Sequence, residues 1–219
     1  MYFRDRIEAG HMLAQRLQAY RNGSDVLVLG LPRGGVPVAY EAARELNVPL
    51  DVFIVRKLGV PGHEELAMGA IATGGVRVLH QAVIRELGIP QEIIDRVTES
   101  EAKELERRQH LYRSDKPLPA VQGRIVIIID DGLATGSTMK AAVAALRQQQ
   151  PMRLVVAVPT APAETCKELQ QMADEVVCVV TPEPFYAVGG SYVDFRQTTD
   201  EEVRDLIKRA AWETFPSGV

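Results

Sequence analysis

One stretch of sequence restricts the possible folds of this chain more than any other. It covers residues 126–138 and reads VIIIDDGLATGST. The apolar run Ile125–Ile129 is short and uninterrupted, which predicts a β-strand buried on both faces. Two adjacent carboxylates, Asp130 and Asp131, end that strand, and a turn with two glycines leads into a helical pattern. Because strand, acid pair, small-residue loop and helix start follow one another without a break, the stretch is predicted to form a ligand site.

The rest of the chain alternates between strand-like and helix-like segments. Apolar runs of strand length lie at 26–31, 50–55, 125–129, 154–158 and 175–180. Segments with apolar residues at helical spacing lie at 5–20, 36–46, 139–149, 163–172 and 199–212. Strands that are apolar on both faces and alternate with helices indicate an α/β fold, in which helices flank a mostly parallel sheet.

Two neighbouring segments interrupt this alternation. Residues 58–65 contain two glycines, one proline and a polar end, which predicts an exposed loop. Residues 67–72 and 76–79 are joined by Thr73-Gly74-Gly75, and this arrangement is typical of a β-hairpin.

A charged segment separates the two halves of the predicted sheet. Residues 81–114 are rich in Glu, Arg and Gln and predict one or two helices, interrupted at Gly88-Ile89-Pro90. We therefore expect a single domain over residues 1–219, with a helical insertion at 81–119. Two roles remain open for the insertion: a cap over the site, or a contact between copies of the chain in a homo-oligomer.

The composition excludes several classes of protein. The net charge is −4 and the pI is near 5.7, which argues against general binding to nucleic acid or to a membrane surface. The apolar runs are far shorter than the ~20 residues that a membrane-spanning helix needs. Cys166 and Cys178 have no metal-ligand spacing and suit a reducing compartment, so a cytoplasmic location is expected.

Three predicted strand ends carry unusual chemistry. Ligands of parallel α/β sheets bind at the carboxyl ends of the strands. These ends hold the glycine-rich residues 30–35, the basic pair Arg56-Lys57, and residues 130–138. Their coincidence at one edge of a sheet is the strongest indication of a shared site.

The loop after the acid pair is suited to a phosphate group. Small residues let successive backbone N–H groups converge, and the helix that follows adds its positive end. The predicted phosphate-binding residues are Ala134, Thr135, Gly136, Ser137 and Thr138. A Ser/Thr cap of the helix is the simpler alternative. The loop lacks GxxxxGK[ST] and GxGxxG, so neither a nucleotide P-loop nor a dinucleotide site is expected.

The acid pair needs a task separate from phosphate binding, since carboxylates repel phosphate. Asp130 and Asp131 suit the two vicinal hydroxyls of a ribose, each accepting one hydrogen bond. They also suit Mg²⁺, bound directly or through water. A metal-free acidic turn is the third alternative.

The stretch 126–138 resembles the phosphoribosyl-pyrophosphate signature of type I phosphoribosyltransferases. The resemblance extends to Pro32-Arg33-Gly34-Gly35, which falls where that family has its pyrophosphate loop, and to Arg56-Lys57, which falls where a basic residue enters its flexible catalytic loop. It implies the family's fold, phosphoribosyl pyrophosphate and Mg²⁺ as ligands, and a cis non-proline peptide bond near Arg33. It also implies a hood near the C-terminus, here residues 181–198, that recognises the acceptor.

The resemblance also assigns roles to the residues. Arg33, Gly34 and Gly35 would bind the leaving pyrophosphate, and Lys57 or Arg56 would enter the site with the loop that follows. Displacement of pyrophosphate passes through positive charge on the ribose, as in glycoside cleavage. The expected catalytic residues are thus Asp130, Asp131, Arg33, Lys57 and Arg56. In the hood, Phe185 or Tyr186 would stack on a flat acceptor ring, with packing beneath a loop as the alternative.

The predicted function is Mg²⁺-dependent transfer of phosphoribose from phosphoribosyl pyrophosphate to a nitrogenous acceptor, such as a nucleobase or related heterocycle. Two alternatives remain open. One is a non-catalytic regulator that senses phosphoribosyl pyrophosphate, although the negative charge and the single N-terminal helix do not favour it. The other is hydrolysis or phosphorolysis of the same donor. The sequence does not identify the acceptor.

Overall fold

The computed structural model describes residues 2–113 and 116–212, except for the side chains of Glu64, Glu65 and Trp212. The strands of this part are β1 (Val26–Gly30), β2 (Leu50–Val52), β3 (Val55–Val60), β4 (His63–Ala72), β5 (Val76–Leu79), β6 (Ile125–Ile129), β7 (Arg153–Thr160) and β8 (Glu175–Val180). Its α-helices are α1 (Arg6–Arg16), α2 (Gly35–Leu46), α3 (Gln81–Glu86), α4 (Gln91–Arg113), α5 (Ser137–Gln148), α6 (Ala163–Leu169) and α7 (Asp200–Trp212). Short 3₁₀ turns lie at Gln18–Tyr20 and Val188–Ser191. None of the described helices is long and apolar enough to cross a bilayer.

The strands predicted from the apolar runs form a five-stranded parallel sheet in the order β2-β1-β6-β7-β8. Strand β6 occupies the middle, where Ile127 pairs with Val28 on one side and with Val155 on the other. Alternate residues of β6 face opposite layers, because side chains of a strand alternate. Ile127 packs toward α1 and α2, whereas Ile128 packs toward α5 and α6. The predicted α/β class is therefore confirmed.

A second sheet replaces the predicted loop at 58–65. Strands β3, β4 and β5 form an antiparallel sheet, and the tight turn at Pro61-Gly62 joins the first two. The loop prediction was wrong because the two glycines and the proline drew attention away from the alternation of buried and exposed side chains that is typical of a β-strand. Leu58 and Val60 are buried, while the side chain of Lys57 is exposed to solvent. The hairpin predicted between β4 and β5 is confirmed.

The segment predicted as broken helices forms α3 and α4, with Gly88 in the left-handed conformation between them (φ 59°). Helix α4 packs on β3, β4 and α7 through an apolar face that includes Ile94 and Leu105. Its last residue, Arg113, is buried, and its Nε and Nη2 donate to Oδ1 and Oδ2 of Asp51 on β2, at 2.8 and 2.7 Å. The insertion is thus anchored to the edge of the main sheet. Residues 114 and 115 of the predicted segment lie outside the described part.

Candidate active site

The ends of β1 and β6 lie side by side, which brings two of the three predicted strand ends together. Gly30 pairs with Ile129, and the N–H of Leu31 donates to the carbonyl of Ile129 at 2.9 Å. The glycines that follow are needed for close approach. A Cβ on Gly34 would lie 1.9 Å from Oδ2 of Asp131, and one on Gly35 would lie 2.7 Å from the Ile129 carbonyl oxygen. Only glycine lets this loop rest against the acid pair.

The loop of residues 32–35, here called the pyrophosphate loop, begins with a cis peptide bond between Pro32 and Arg33, which confirms the expectation drawn from the resemblance. The N–H of Gly35 donates to the Leu31 carbonyl at 3.1 Å, so this amide is engaged within the protein. The Arg33 side chain is 37% exposed, and its Nη1 lies 3.9 Å from Oδ1 of Asp200 at the start of α7. Arg33 is the one charged residue among the three predicted pyrophosphate ligands, and its side chain is partly accessible.

Asp200 connects Arg33 to the helical insertion. The hydroxyl of Tyr112, near the end of α4, donates to Oδ1 of Asp200. Burial, followed by this hydrogen bond, raises the pKa of Tyr112 to about 12, so the phenol stays protonated as a donor. The insertion thus reaches the edge of the candidate site through one carboxylate.

The acid pair is unusually hard to ionise. The N–H of Asp131 donates to Oδ1 of Asp130 at 2.9 Å, which fixes the first carboxylate against the backbone. Burial, together with the charge of Asp131, raises the pKa of Asp130 well above its ordinary value. Burial also raises the pKa of Asp131, and the nearby Arg6 guanidinium opposes that shift. Two carboxylates held this close favour the arrival of positive charge or of hydroxyl donors.

Arg6 is a site residue that the sequence did not reveal. It lies in the first turn of α1 and donates to Oδ2 of Asp131 from both Nε and Nη2, at 2.9 and 2.7 Å. Both side chains are largely enclosed. Nothing in the local sequence separates Arg6 from Arg4, which is exposed and pairs with its neighbour Asp5. Only the packing of α1 against the sheet brings Arg6 to the acid pair.

The phosphate loop, residues 134–138, borders a pocket of about 130 Å³ that also involves Asp130, Gly132, Leu133 and Met139. The hydroxyl of Thr165 on α6 donates to the Ala134 carbonyl at 2.8 Å. Gly136 is the residue before α5, in the left-handed conformation (φ 67°), and makes no side-chain cap. The N–H of Ser137 donates to Oγ1 of Thr135 at 3.5 Å, so a threonine does reach the helix start over a long hydrogen bond. The other N–H groups of the first turn of α5 have no intrahelical partners and border the pocket.

Arg56 and Lys57 do not follow the end of a parallel strand, so this part of the prediction was wrong. Strand β2 ends at Val52, and both basic residues lie within β3 of the antiparallel sheet. Nε of Arg56 lies 2.6 Å from Oε2 of Glu101 on α4, whereas Lys57 is exposed. Of the two, Lys57 has the side chain available to reach a ligand.

The hood makes its ring contacts with residues other than the two predicted for the acceptor. Tyr186 is 89% exposed and Phe185 is half-buried. The ring of Tyr192 stacks on Phe195 with centroids 4.9 Å apart, and its hydroxyl donates to the Asp131 carbonyl. Burial raises the pKa of Tyr192, so that hydroxyl is a proton donor across the ordinary pH range. The hood is therefore fastened to the acid pair by its second half.

The oxygen atoms of the acid pair suit Mg²⁺ in a limited way. Within residues 2–113 and 116–212, no cluster of three or more His, Cys, Asp and Glu side chains could hold a metal ion. Mg²⁺ in phosphate chemistry is usually bound by one or two carboxylates, substrate phosphates and several waters. Asp130 and Asp131 fit that mode, with one oxygen of Asp131 already bonded to Arg6.

A pocket at a helix start, an acid pair and a glycine-rich loop converge at one edge of a parallel sheet. The model of the phosphoribosyl transferase domain family matches residues 5–196, and the chain belongs to this family.

Individual relatives agree with this assignment. Two proteins of Mycobacterium tuberculosis, strains CDC 1551 and H37Rv, are each named "Putative phosphoribosyl transferase" and are 48% identical over 208 residues. These alignments cover 95% of this chain and 47% of each relative, so the chain spans about half the length of the curated relatives it matches. The crystal structure of TT1426 from Thermus thermophilus is 43% identical, with a TM-score of 0.86, covering 95% of this chain and 99% of that chain.

Proposed function

We propose that this protein is a Mg²⁺-dependent phosphoribosyltransferase that uses 5-phosphoribosyl 1-pyrophosphate. The acceptor is a nitrogenous compound, a nucleobase or a related heterocycle, and pyrophosphate is released. One observation carries the proposal: the phosphate loop, the acid pair and the pyrophosphate loop lie together at the carboxyl edge of the sheet. Membership of the phosphoribosyl transferase family supports the same reaction class.

The donor's two phosphate-bearing ends have separate places in this arrangement. The 5-phosphate binds at the phosphate loop, where the start of α5 offers N–H groups and the positive end of the helix dipole. The ribose lies over the acid pair, whose oxygens accept hydrogen bonds from its two vicinal hydroxyls. The carboxylates thereby contact the neutral part of the ligand, and their repulsion of the phosphates is reduced.

Charge on the leaving group is the main problem of this reaction. Arg33 leaves Asp200 and binds pyrophosphate with its planar guanidinium, which suits phosphate oxygens. Lys57, exposed on β3, adds a second positive charge. Asp130 and Asp131 would hold Mg²⁺ together with oxygens of the donor, and the bound ion supplies neutralisation of the pyrophosphate charge. The buried carboxylates also favour the positive charge that develops on the ribose.

Acceptor recognition is assigned to the first half of the hood. Phe185 and Tyr186 present aromatic surface, and Tyr186 is accessible for stacking because its side chain is 89% exposed. Closure of this segment over the acceptor would exclude water from the reacting carbon.

Release of pyrophosphate, measured across a panel of nucleobases and other amines, tests the proposal. Acceptor-dependent release that requires Mg²⁺ and is lost in Asp130→Asn is the expected result. Release without any acceptor, together with ribose 5-phosphate, would instead indicate hydrolysis of the donor. Tight donor binding with no release under any condition would indicate a sensor of phosphoribosyl pyrophosphate.

A further inference from the structure

Arg6 is the side chain through which the N-terminal helix reaches the acid pair. Its side chain is only 11% exposed, and both Nε and Nη2 donate to Oδ2 of Asp131. A carboxylate has two oxygens that accept hydrogen bonds. Since both bonds go to one oxygen, Arg6 fixes the position of the carboxylate without bonding to its other oxygen.

The third nitrogen of Arg6 ties the same guanidinium to the hood. Nη1 donates to the carbonyl of Arg196 at 2.7 Å, and the guanidinium carbon lies 4.1 Å from the centroid of the Phe195 ring. Arginine presents its donors in a rigid planar fork. The orientation of Arg6 is therefore set by the acid pair and the hood together.

The pyrophosphate loop borders this ion pair on another side. A Cβ on Gly34 would lie 1.9 Å from Oδ2 of Asp131 and 3.2 Å from Nη2 of Arg6. Oδ2 of Asp131 therefore lies against both the Arg6 guanidinium and Gly34.

We infer that Arg6 is a positioning residue of the donor site, which holds Asp131 so that one carboxylate oxygen faces a ribose hydroxyl and couples this orientation to the hood. The inference rests on the proposed function. A residue that merely joins α1 to the hood would affect folding stability but would treat all ligands alike. A residue that positions Asp131 has a selective effect when Mg²⁺ is absent, because without the ion only ligands with a ribose contact the acid pair.

Calorimetric binding of three ligands without Mg²⁺ separates the two roles, because pyrophosphate then has no ion through which to reach the acid pair. The ligands are phosphoribosyl pyrophosphate, ribose 5-phosphate and pyrophosphate. We expect Arg6→Met to weaken the first two by roughly 10- to 100-fold, the range for a lost charge-assisted hydrogen bond. Pyrophosphate binding should change less than about twofold, since its loop is retained. Arg6→Lys should restore part of the loss, because an ammonium keeps the charge but lacks the fork.

Arg4→Met is the matched control, since the Arg4 side chain is 72% exposed and pairs locally with Asp5. It should leave the binding of all three ligands unchanged. A double-mutant cycle of Arg6 and Asp131 keeps the test valid if the single variant Arg6→Met is poorly folded. In the Asp131→Asn background, Arg6→Met should weaken donor binding by less than about twofold, because no carboxylate remains to be positioned.

Equal loss of all three ligands, or full additivity of Arg6→Met and Asp131→Asn, would overturn the assignment of Arg6. So would unchanged donor binding in Arg6→Met when the unmodified chain binds the donor. If the unmodified chain binds neither phosphoribosyl pyrophosphate nor ribose 5-phosphate, the proposed function itself fails, and the assignment fails with it. The unmodified chain therefore distinguishes the two failures.

Discussion

The two halves of the candidate site differ in what holds their functional groups in place. In the acidic half, residues 130–138 are contiguous, and much of their geometry is backbone: a strand end, a tight loop and the start of a helix. In the basic half, Arg33 and Arg56 are held by carboxylates that lie far away in sequence, on Asp200 and Glu101. The comparison shows that a site formed mainly by the main chain of one continuous segment can be recognised from a local sequence motif. A site whose side chains are held by ion pairs depends on partner residues that lie elsewhere in the sequence and are absent from the motif.

The strongest way to break the acidic half is to remove its charge. The double variant Asp130→Asn/Asp131→Asn should lower turnover by roughly 100-fold or more, the usual cost of losing electrostatic stabilisation at a reacting centre. Steady-state release of pyrophosphate measures the effect. Asp25→Asn, at an exposed position before β1, is the control and should retain full activity. Normal turnover in the double variant would contradict any role of the acid pair.

The backbone character of the acidic half is tested at Gly136. Alanine there would adopt a left-handed conformation, and its Cβ would lie 2.7 Å from Cγ2 of Thr165. We expect Gly136→Ala to lower the free energy of unfolding by about 1–3 kcal/mol, with weaker binding of inorganic phosphate. Gly190→Ala is the control, since nothing lies within 4 Å of its Cβ, and should change stability by less than about 0.5 kcal/mol. Denaturant unfolding of both variants would show whether the difference holds.

The acidic half should make the free energy of unfolding depend on pH, because Asp130 is destabilising when it is ionised in the folded protein. Burial, with the charge of Asp131, raises the pKa of Asp130 in the folded state, so the folded state binds the proton more tightly than the unfolded state. Stability therefore falls as pH rises from about 4 through the folded-state pKa. Asp130→Asn should melt at a higher temperature than the unmodified protein near pH 8, and this gain should shrink toward pH 4. A gain that grows in acid would have the wrong sign.

Within the basic half, the two neighbouring residues of β3 should differ in role: Arg56 should contribute to stability, and Lys57 should contribute to turnover. Arg56→Met should cost up to about 1 kcal/mol of unfolding free energy, and Glu101→Met no more, because the pair is only partly buried. The double variant should cost little beyond either single one. Lys57→Met, at the exposed neighbour, should leave stability unchanged and lower turnover instead. Loss of stability in Lys57→Met would show that the two residues do not divide in this way.

Much of the fold could be predicted because its signals are local. Uninterrupted apolar strands such as Ile125–Ile129 indicate burial on both faces, and alternation with helices indicates parallel pairing. The hairpin of β3 and β4 could not be read in the same way. Glycines and a proline near its turn suggested a loop, and burial of Leu58 and Val60 depends on α4, which follows later in the chain.

The candidate site was predictable to the extent that its residues share a motif. Residues 130–138 and the pyrophosphate loop meet because the strands before them are hydrogen-bonded neighbours. Arg6 and Tyr192 were missed, since each contributes through a contact with Asp131 that spans a large separation in sequence. The partners of Arg56 and Arg33 were missed for the same reason.

The attachment of Tyr192 to the main chain of Asp131 has a consequence for how such a protein could change its substrate. The carbonyl of Asp131 accepts this bond whatever side chain the position carries, so the second half of the hood is fixed by the donor site. Tyr186 lies outside this attachment, and its exposed side chain can be exchanged without disturbing Asp131. Under the proposed function, substitutions in a few hood residues would change the acceptor while the residues proposed to bind the ribose donor keep their places.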